Sequence, residues 1–167
     1  MNEHPQPVSR NDCSRRRFLA ASAAGAALGA LPLARRVHAA GSDVIKVGLI
    51  GCGGRGSGAA VNAMNAGPDV RLIAMSDVFE DRVQASRANL KKSKPDQVAV
   101  DDDHCFVGFD AYQKVIASGV DVVLIACASK FHPPYLKAAV EAGKHVFMEK
   151  PHAIDPPGIH LVEQACE

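Results

Sequence analysis

The sequence predicts an α/β fold: a doubly wound parallel sheet covered by helices on both faces. Three observations predict it. Short apolar runs alternate with stretches of helical spacing from residue 44 to residue 166, a glycine-rich loop follows the first apolar run directly, and neither an internal repeat nor a low-complexity linker interrupts the alternation. Strands separated by helices cannot pair as hairpins, so they pair in parallel and leave the helices to cover the sheet. At 167 residues there is room for one domain with a real core. A hydrophobic fraction of 47% with 22% charged residues is the balance of an ordinary globular chain.

Each element has its own signal. Residues 44–50 (VIKVGLI) form an apolar run ending in glycines, as a strand buried on both faces would. Residues 57–66 carry helical spacing and are closed by Gly67-Pro68. A second strand spans 70–76 (VRLIAMS), and 79–92 reads as a charged surface helix ended by Ser93-Lys94-Pro95. The polar loop holding Asp101, Asp102 and Asp103 leads to a brief strand at 105–107. Three adjacent side chains cannot converge on one ion, so this triplet reads as a solvated turn and no metal site is expected. A helix over 110–118 stops at Gly119, and 121–127 (DVVLIAC) is the most apolar strand. Residues 133–142 form a helix closed by Gly143, 145–148 a fifth strand, and 155–166 a last helix with Pro156-Pro157 in its first turn.

The first forty residues are of another kind. They hold six arginines against Glu3 and Asp12, a net charge of +4, while the rest has 13 basic and 16 acidic residues, a net of −3. A mildly acidic body gives no electrostatic case for nucleic acid. In the head, Arg15, Arg16 and Arg17 precede an uncharged run over 18–34, and Val37-His38-Ala39 offers a small-residue cleavage site before Ala40. Basic head, apolar middle and small-residue end are the order of a signal peptide. The paired arginines and weakly apolar middle resemble a twin-arginine export signal, with the export machinery as partner and the periplasm or exterior as destination. Residues 1–40 are therefore expected to be the signal and 41–167 the domain. Twin-arginine export moves folded proteins, which suits one that takes up a ligand inside the cell. The five cysteines form no C-x-x-C pair or zinc-like cluster, so neither a disulfide framework nor a zinc site is expected. Cys52 and Cys127 stand at strand ends, where a small buried thiol is an ordinary occupant.

After the first strand comes Gly51-Cys52-Gly53-Gly54-Arg55-Gly56, a full G-x-G-x-x-G. Gly51 permits the tight turn, Gly53 lets backbone approach a pyrophosphate, and Gly56 allows close helix–strand packing. The following helix points free amides and the positive end of its dipole at the phosphates. Asp77 closes the second strand, 21 residues after Gly56. That is the place of an acid that hydrogen-bonds a ribose 2′-hydroxyl and repels a 2′-phosphate, so NAD is favoured. Arg55 and Arg82 are near enough in sequence to keep NADP open. Structural roles for the glycines and Asp77 are the competing reading.

The fifth strand runs into Glu149-Lys150-Pro151, preceded by Ala142-Gly143-Lys144-His145-Val146. In such a sheet the carboxyl ends of the strands form the ligand crevice. A lysine there can bind cofactor ribose or phosphate, or hydrogen-bond a substrate hydroxyl during hydride transfer. Glycine loop, Asp77, the Ala-Gly-Lys-His run and Glu-Lys-Pro, in this order and spacing, resemble the Gfo/Idh/MocA family, named for glucose–fructose oxidoreductase and inositol dehydrogenase. The resemblance covers roughly residues 44–165.

It implies a Rossmann-type domain and an NAD(P)-dependent oxidoreductase acting on sugars, cyclitols or related polyols. Gly51, Cys52, Gly53, Gly54, Arg55, Gly56, Asp77, Cys127, His132, Glu149 and Lys150 would contact the cofactor, with Lys150 also catalytic beside nicotinamide and substrate. After the fourth strand, members often show Thr-Pro-Asn-x-x-His. Here Cys127-Ala128-Ser129-Lys130-Phe131-His132 keeps the histidine and loses the threonine hydroxyl. For His132 the alternative is a solvent-facing residue at a helix start. Members continue into a sixth strand and a second α/β domain holding the substrate pocket, and the full-length form is compatible with a homo-oligomer. The 167-residue chain is thus expected to stop short of both, binding dinucleotide weakly without turning over substrate. The competing function is a non-enzymatic module that binds NAD or a partner subunit.

Overall fold

The apolar runs pair side by side in one parallel sheet. The computed structural model describes residues 44–167; the signal-peptide reading of 1–40 lies outside the described residues. The strands are β1 (Ile45–Ile50), β2 (Val70–Asp77), β3 (Cys105–Val107), β4 (Val122–Ile125) and β5 (His145–Met148), in the order β3-β2-β1-β4-β5. All four neighbouring pairs are parallel. The helices are α1 (Gly54–Asn65), α2 (Glu80–Ser93), α3 (Ala111–Ala117), α4 (His132–Glu141) and α5 (Pro156–Cys166), with a short 3-10 turn at Ser129–Phe131 before α4.

Two separate apolar clusters show the double winding. Val47, Leu49, Leu72 and Met75 pack with Ala60 and Met64 of α1 and Val83 and Leu90 of α2. Ile50, Ala74, Val123 and Ile125 pack with Val115 and Ile116 of α3 and Leu136 and Ala139 of α4. Leu49 and Leu72 are fully buried, each worth roughly 1.5–3 kcal/mol relative to an exposed side chain.

The expected elements all form, with boundary differences that have physical causes. α1 begins at Gly54 rather than residue 57, so the last glycines of the loop are helical. Glycine's poor helix propensity hid that start. Gly119 and Gly143 close their helices with φ of +76° and +68°, conformations open to glycine. Asp155 caps α5, its carboxylate accepting from Gly158 N–H at 2.8 Å. The stretch after α2 holds a connection absent from the sequence reading. Val98 bridges Leu72 of β2, and the Gln97 side-chain amide donates to the carbonyls of Met64, Gly67 and Val70 at 2.8, 2.9 and 3.1 Å. The acidic triplet is a turn: Asp101 accepts from the backbone and ring of His104, and Asp102 pairs with Arg87. That hydrogen bond from His104 holds the Asp101 carboxyl below its usual range.

Beside β5 the sheet surface is incompletely covered. Phe147 is 51% exposed, and with Ile45, Val122 and Leu124 it lines an apolar hollow of about 420 Å³ under α1. Among the described residues no helix is long and apolar enough to cross a membrane.

Candidate functional site

The chain runs outward from β1 to β2 and β3, then returns to β4 on the other side. The gap between the carboxyl ends of β1 and β4 is the switch point at which such sheets bind ligands. Gly51 stands there with φ of +98°. A Cβ on it would lie 2.6 Å from the Cys127 nitrogen at the end of β4, so only glycine fits. A Cβ on Gly56 would overlap the Gly51 carbonyl oxygen, which is why α1 can press against the turn. Gly53, by contrast, faces open space apart from Arg82, whose Nη1 would be 3.9 Å away. Gly53 is also the N-cap of α1, and no side-chain oxygen caps the helix there. The first-turn amides of α1, including those of Gly54 and Arg55, thus keep their dipole end free of a carboxylate.

Asp77 is built into this turn. Its Oδ2 accepts from Cys52 N–H at 2.7 Å and its Oδ1 from Phe79 N–H at 3.1 Å. Both oxygens are fixed by backbone, and their remaining lone pairs are available to a ligand. Cys52 is buried, donating its thiol to the Ser76 carbonyl at 3.3 Å. Burial first, and the Asp77 charge second, push that thiol far above its ordinary value. Cys127 is pushed up to about 11 by burial. Neither sulfur is a nucleophile at neutral pH.

A cavity of about 270 Å³ opens between Gly51, Gly53, Asp77, Arg82 and Cys127. Its wall is aromatic. Phe79, Phe109, Tyr112, Phe131 and Tyr135 all line it, five of the eight aromatic residues of the chain. Tyr112 and Tyr135 stack at 4.0 Å, Tyr135 and Phe131 at 5.7 Å, and Arg82 lies 5.2 Å from the Phe79 ring centre. The sequence reading missed these rings. Their shared signal is position: Phe79, Phe109 and Phe131 each follow the carboxyl end of a strand.

These features fit a dinucleotide. Flat rings and a guanidinium suit a purine face, a fixed carboxylate suits a ribose diol, and an uncapped helix start beside an open glycine suits a pyrophosphate.

The other expected contacts are placed differently. Arg55 pairs with Glu149 across the sheet end, and this hydrogen bond holds the Glu149 carboxyl below its usual range. Both side chains line the apolar hollow rather than the aromatic cavity. Lys150 is exposed just beyond β5 and is not part of the cavity wall. His132 is 1% exposed, which excludes the solvent-facing alternative; its ring lies between the carbonyls of Cys127 and Pro151.

Comparison with known proteins gives a family and a fold. Residues 45–167 match the Gfo/Idh/MocA family, described as an oxidoreductase family with an NAD-binding Rossmann fold. A glycosyl hydrolase family 109 protein of Shewanella amazonensis is 35% identical over 158 residues, covering 82% of this chain and 33% of that protein. An inositol 2-dehydrogenase of Klebsiella pneumoniae is 29% identical, covering 72% of this chain and 33% of that protein. Among solved structures, myo-inositol dehydrogenase from Lactobacillus casei, in complex with NAD(H) and myo-inositol, superposes with a TM-score of 0.61 at 19% identity. It covers 73% of this chain and 33% of that one. The chain therefore spans about a third of the length of these relatives.

Proposed function

Since this chain belongs to the Gfo/Idh/MocA oxidoreductase family, with its NAD-binding Rossmann fold, we propose that residues 44–167 hold the cofactor of an exported enzyme that oxidises or reduces a sugar, cyclitol or related polyol. The observation that carries the cofactor half is Asp77, fixed by Cys52 and Phe79 amides beside the Gly51 turn. In this reading Asp77 accepts from the ribose hydroxyls, the α1 amides face the pyrophosphate and the aromatic wall receives adenine. A nicotinamide held there would supply the hydride chemistry, the carbon that bears the substrate hydroxyl being the one oxidised or reduced. Lys150, at the end of the neighbouring strand, holds that hydroxyl and moves its proton. Inositol dehydrogenases among the relatives support the substrate class. Export rests on Arg15, Arg16 and the apolar run after them.

Calorimetric titration with NAD(H) and NADP(H) tests the reading. NAD(H) is expected to bind more tightly, and Asp77→Ala to weaken it by about 1.5–3 kcal/mol, the range for a hydrogen bond to a charged group. A folded protein that binds neither dinucleotide sinks it. A second reading, cleavage of a glycoside, draws on relatives named glycosyl hydrolase family 109 at 31–35% identity. Release of a free sugar from an aryl glycoside, dependent on added NAD, would favour that reading over polyol dehydrogenation.

A further inference from the structure

One buried polar side chain is explained by neither the core nor the cofactor cradle. His132, the first residue of α4, has its Nδ1 2.9 Å from the Pro151 carbonyl oxygen and its Nε2 3.0 Å from the Cys127 carbonyl oxygen. Both partners are acceptors, so whichever ring nitrogen carries the proton is the donor, and a neutral ring serves one of the two carbonyls at a time. An apolar side chain of the same size would fill the space and take away the donor these carbonyls share, at the cost attached to a buried unpaired group.

The two carbonyls belong to different parts of the site. Cys127 lines the aromatic cavity, and Pro151 directly follows Lys150. The first turn of α5 also sits close against both the turn after Lys150 and the start of α4. A Cβ on Gly158 would lie 2.8 Å from Ala153 Cβ and 3.2 Å from Pro133 Cγ. The loop after β4, the start of α4 and the turn after β5 therefore meet at one imidazole.

We propose that His132 is a positioning residue: it ties the Lys150 turn to the cavity wall and so sets where the lysine stands relative to bound dinucleotide. The proposal rests on the cofactor reading above, in which Lys150 acts beside nicotinamide. His132 itself touches neither cofactor nor substrate. Its ring is fully enclosed, and it acts through the Pro151 and Cys127 backbone.

Amide NMR of the 167-residue chain, titrated with NADH, tests this. In the wild type, NADH is expected to shift the amide signals of Gly53, Asp77 and Lys150. In His132→Phe, which keeps bulk and removes the ring N–H, the Gly53 and Asp77 shifts remain and the Lys150 shift is lost. His132→Gln restores a donor and recovers part of it, a rescue that a mere space-filling role would not produce. An unchanged Lys150 shift in His132→Phe overturns the proposal. A wild type that gives no shift at Gly53 or Asp77 overturns the cofactor reading and the proposal with it. Hydrogen exchange of the wild type needs no variant and decides the matter if His132→Phe does not fold. Joint slowing of residues 127–131 and 150–153 on adding NADH supports the link, and slowing of 127–131 alone overturns it.

Discussion

Glu149 and Arg55 show how a single pair can be tested through its protons. Arg55 holds the Glu149 carboxyl below its ordinary value of 4.5 in the folded chain. A folded-state value below the unfolded one means the pair contributes stability above pH 4.5 and loses it as pH falls. Arg55→Ala is therefore expected to unfold at lower urea than the wild type at neutral pH, with the two converging in acid. Urea midpoints measured across the acid range check this, and a constant gap at every pH would show that the pair is not the cause. Neither partner was legible as a pair in the sequence. They lie 94 positions apart and meet only because β5 is brought alongside the start of α1. His132 was equally hidden, because both its partners are backbone carbonyls, which any residue carries. Gly51 and Gly56 were legible, since each answers a local demand of the turn that only glycine meets, whereas the hold of Asp77 on the Cys52 and Phe79 amides was not.

At the scale of elements, the alternation of strand and helix could be read because strands buried on both faces keep few polar residues, as in VVLI of β4. The brief β3 was also readable, yet the Val98 bridge was not: one residue added to a sheet leaves no periodic trace. Gln97 beside it joins the end of α1, the following turn and the start of β2 through three carbonyls. Gln97→Leu is expected to destabilise the fold by about 1–3 kcal/mol, the penalty of leaving part-buried carbonyls short of a donor. Urea unfolding of the variant measures it; a midpoint equal to that of the wild type would mean water replaces the amide without loss. The aromatic wall was missed for a related reason. Its rings come from the loops after β2 and β3, the helix α3, and the turn and helix after β4, and only the sheet order makes them neighbours.

For the molecule as a whole, the ligand reading makes a thermodynamic demand. NADH at about a hundred times its dissociation constant is expected to raise the unfolding free energy by about 2.7 kcal/mol. Thermal or urea melts with and without NADH measure the shift, and its absence would contradict binding to the folded chain. The half-exposed Phe147 and the hollow under α1 lie away from the aromatic cavity, so occupation of that surface should leave this shift intact. The aromatic wall also determines how such events can be watched. The chain has no tryptophan, and its two tyrosines, Tyr112 and Tyr135, both stand in the cavity wall. Excited at wavelengths where phenylalanine hardly absorbs, its intrinsic emission thus comes from one place. A ring entering the cavity would dim or shift that light, while events at the far edge of the sheet would leave it dark to the spectrometer: the protein is a fluorescent reporter of its own binding site.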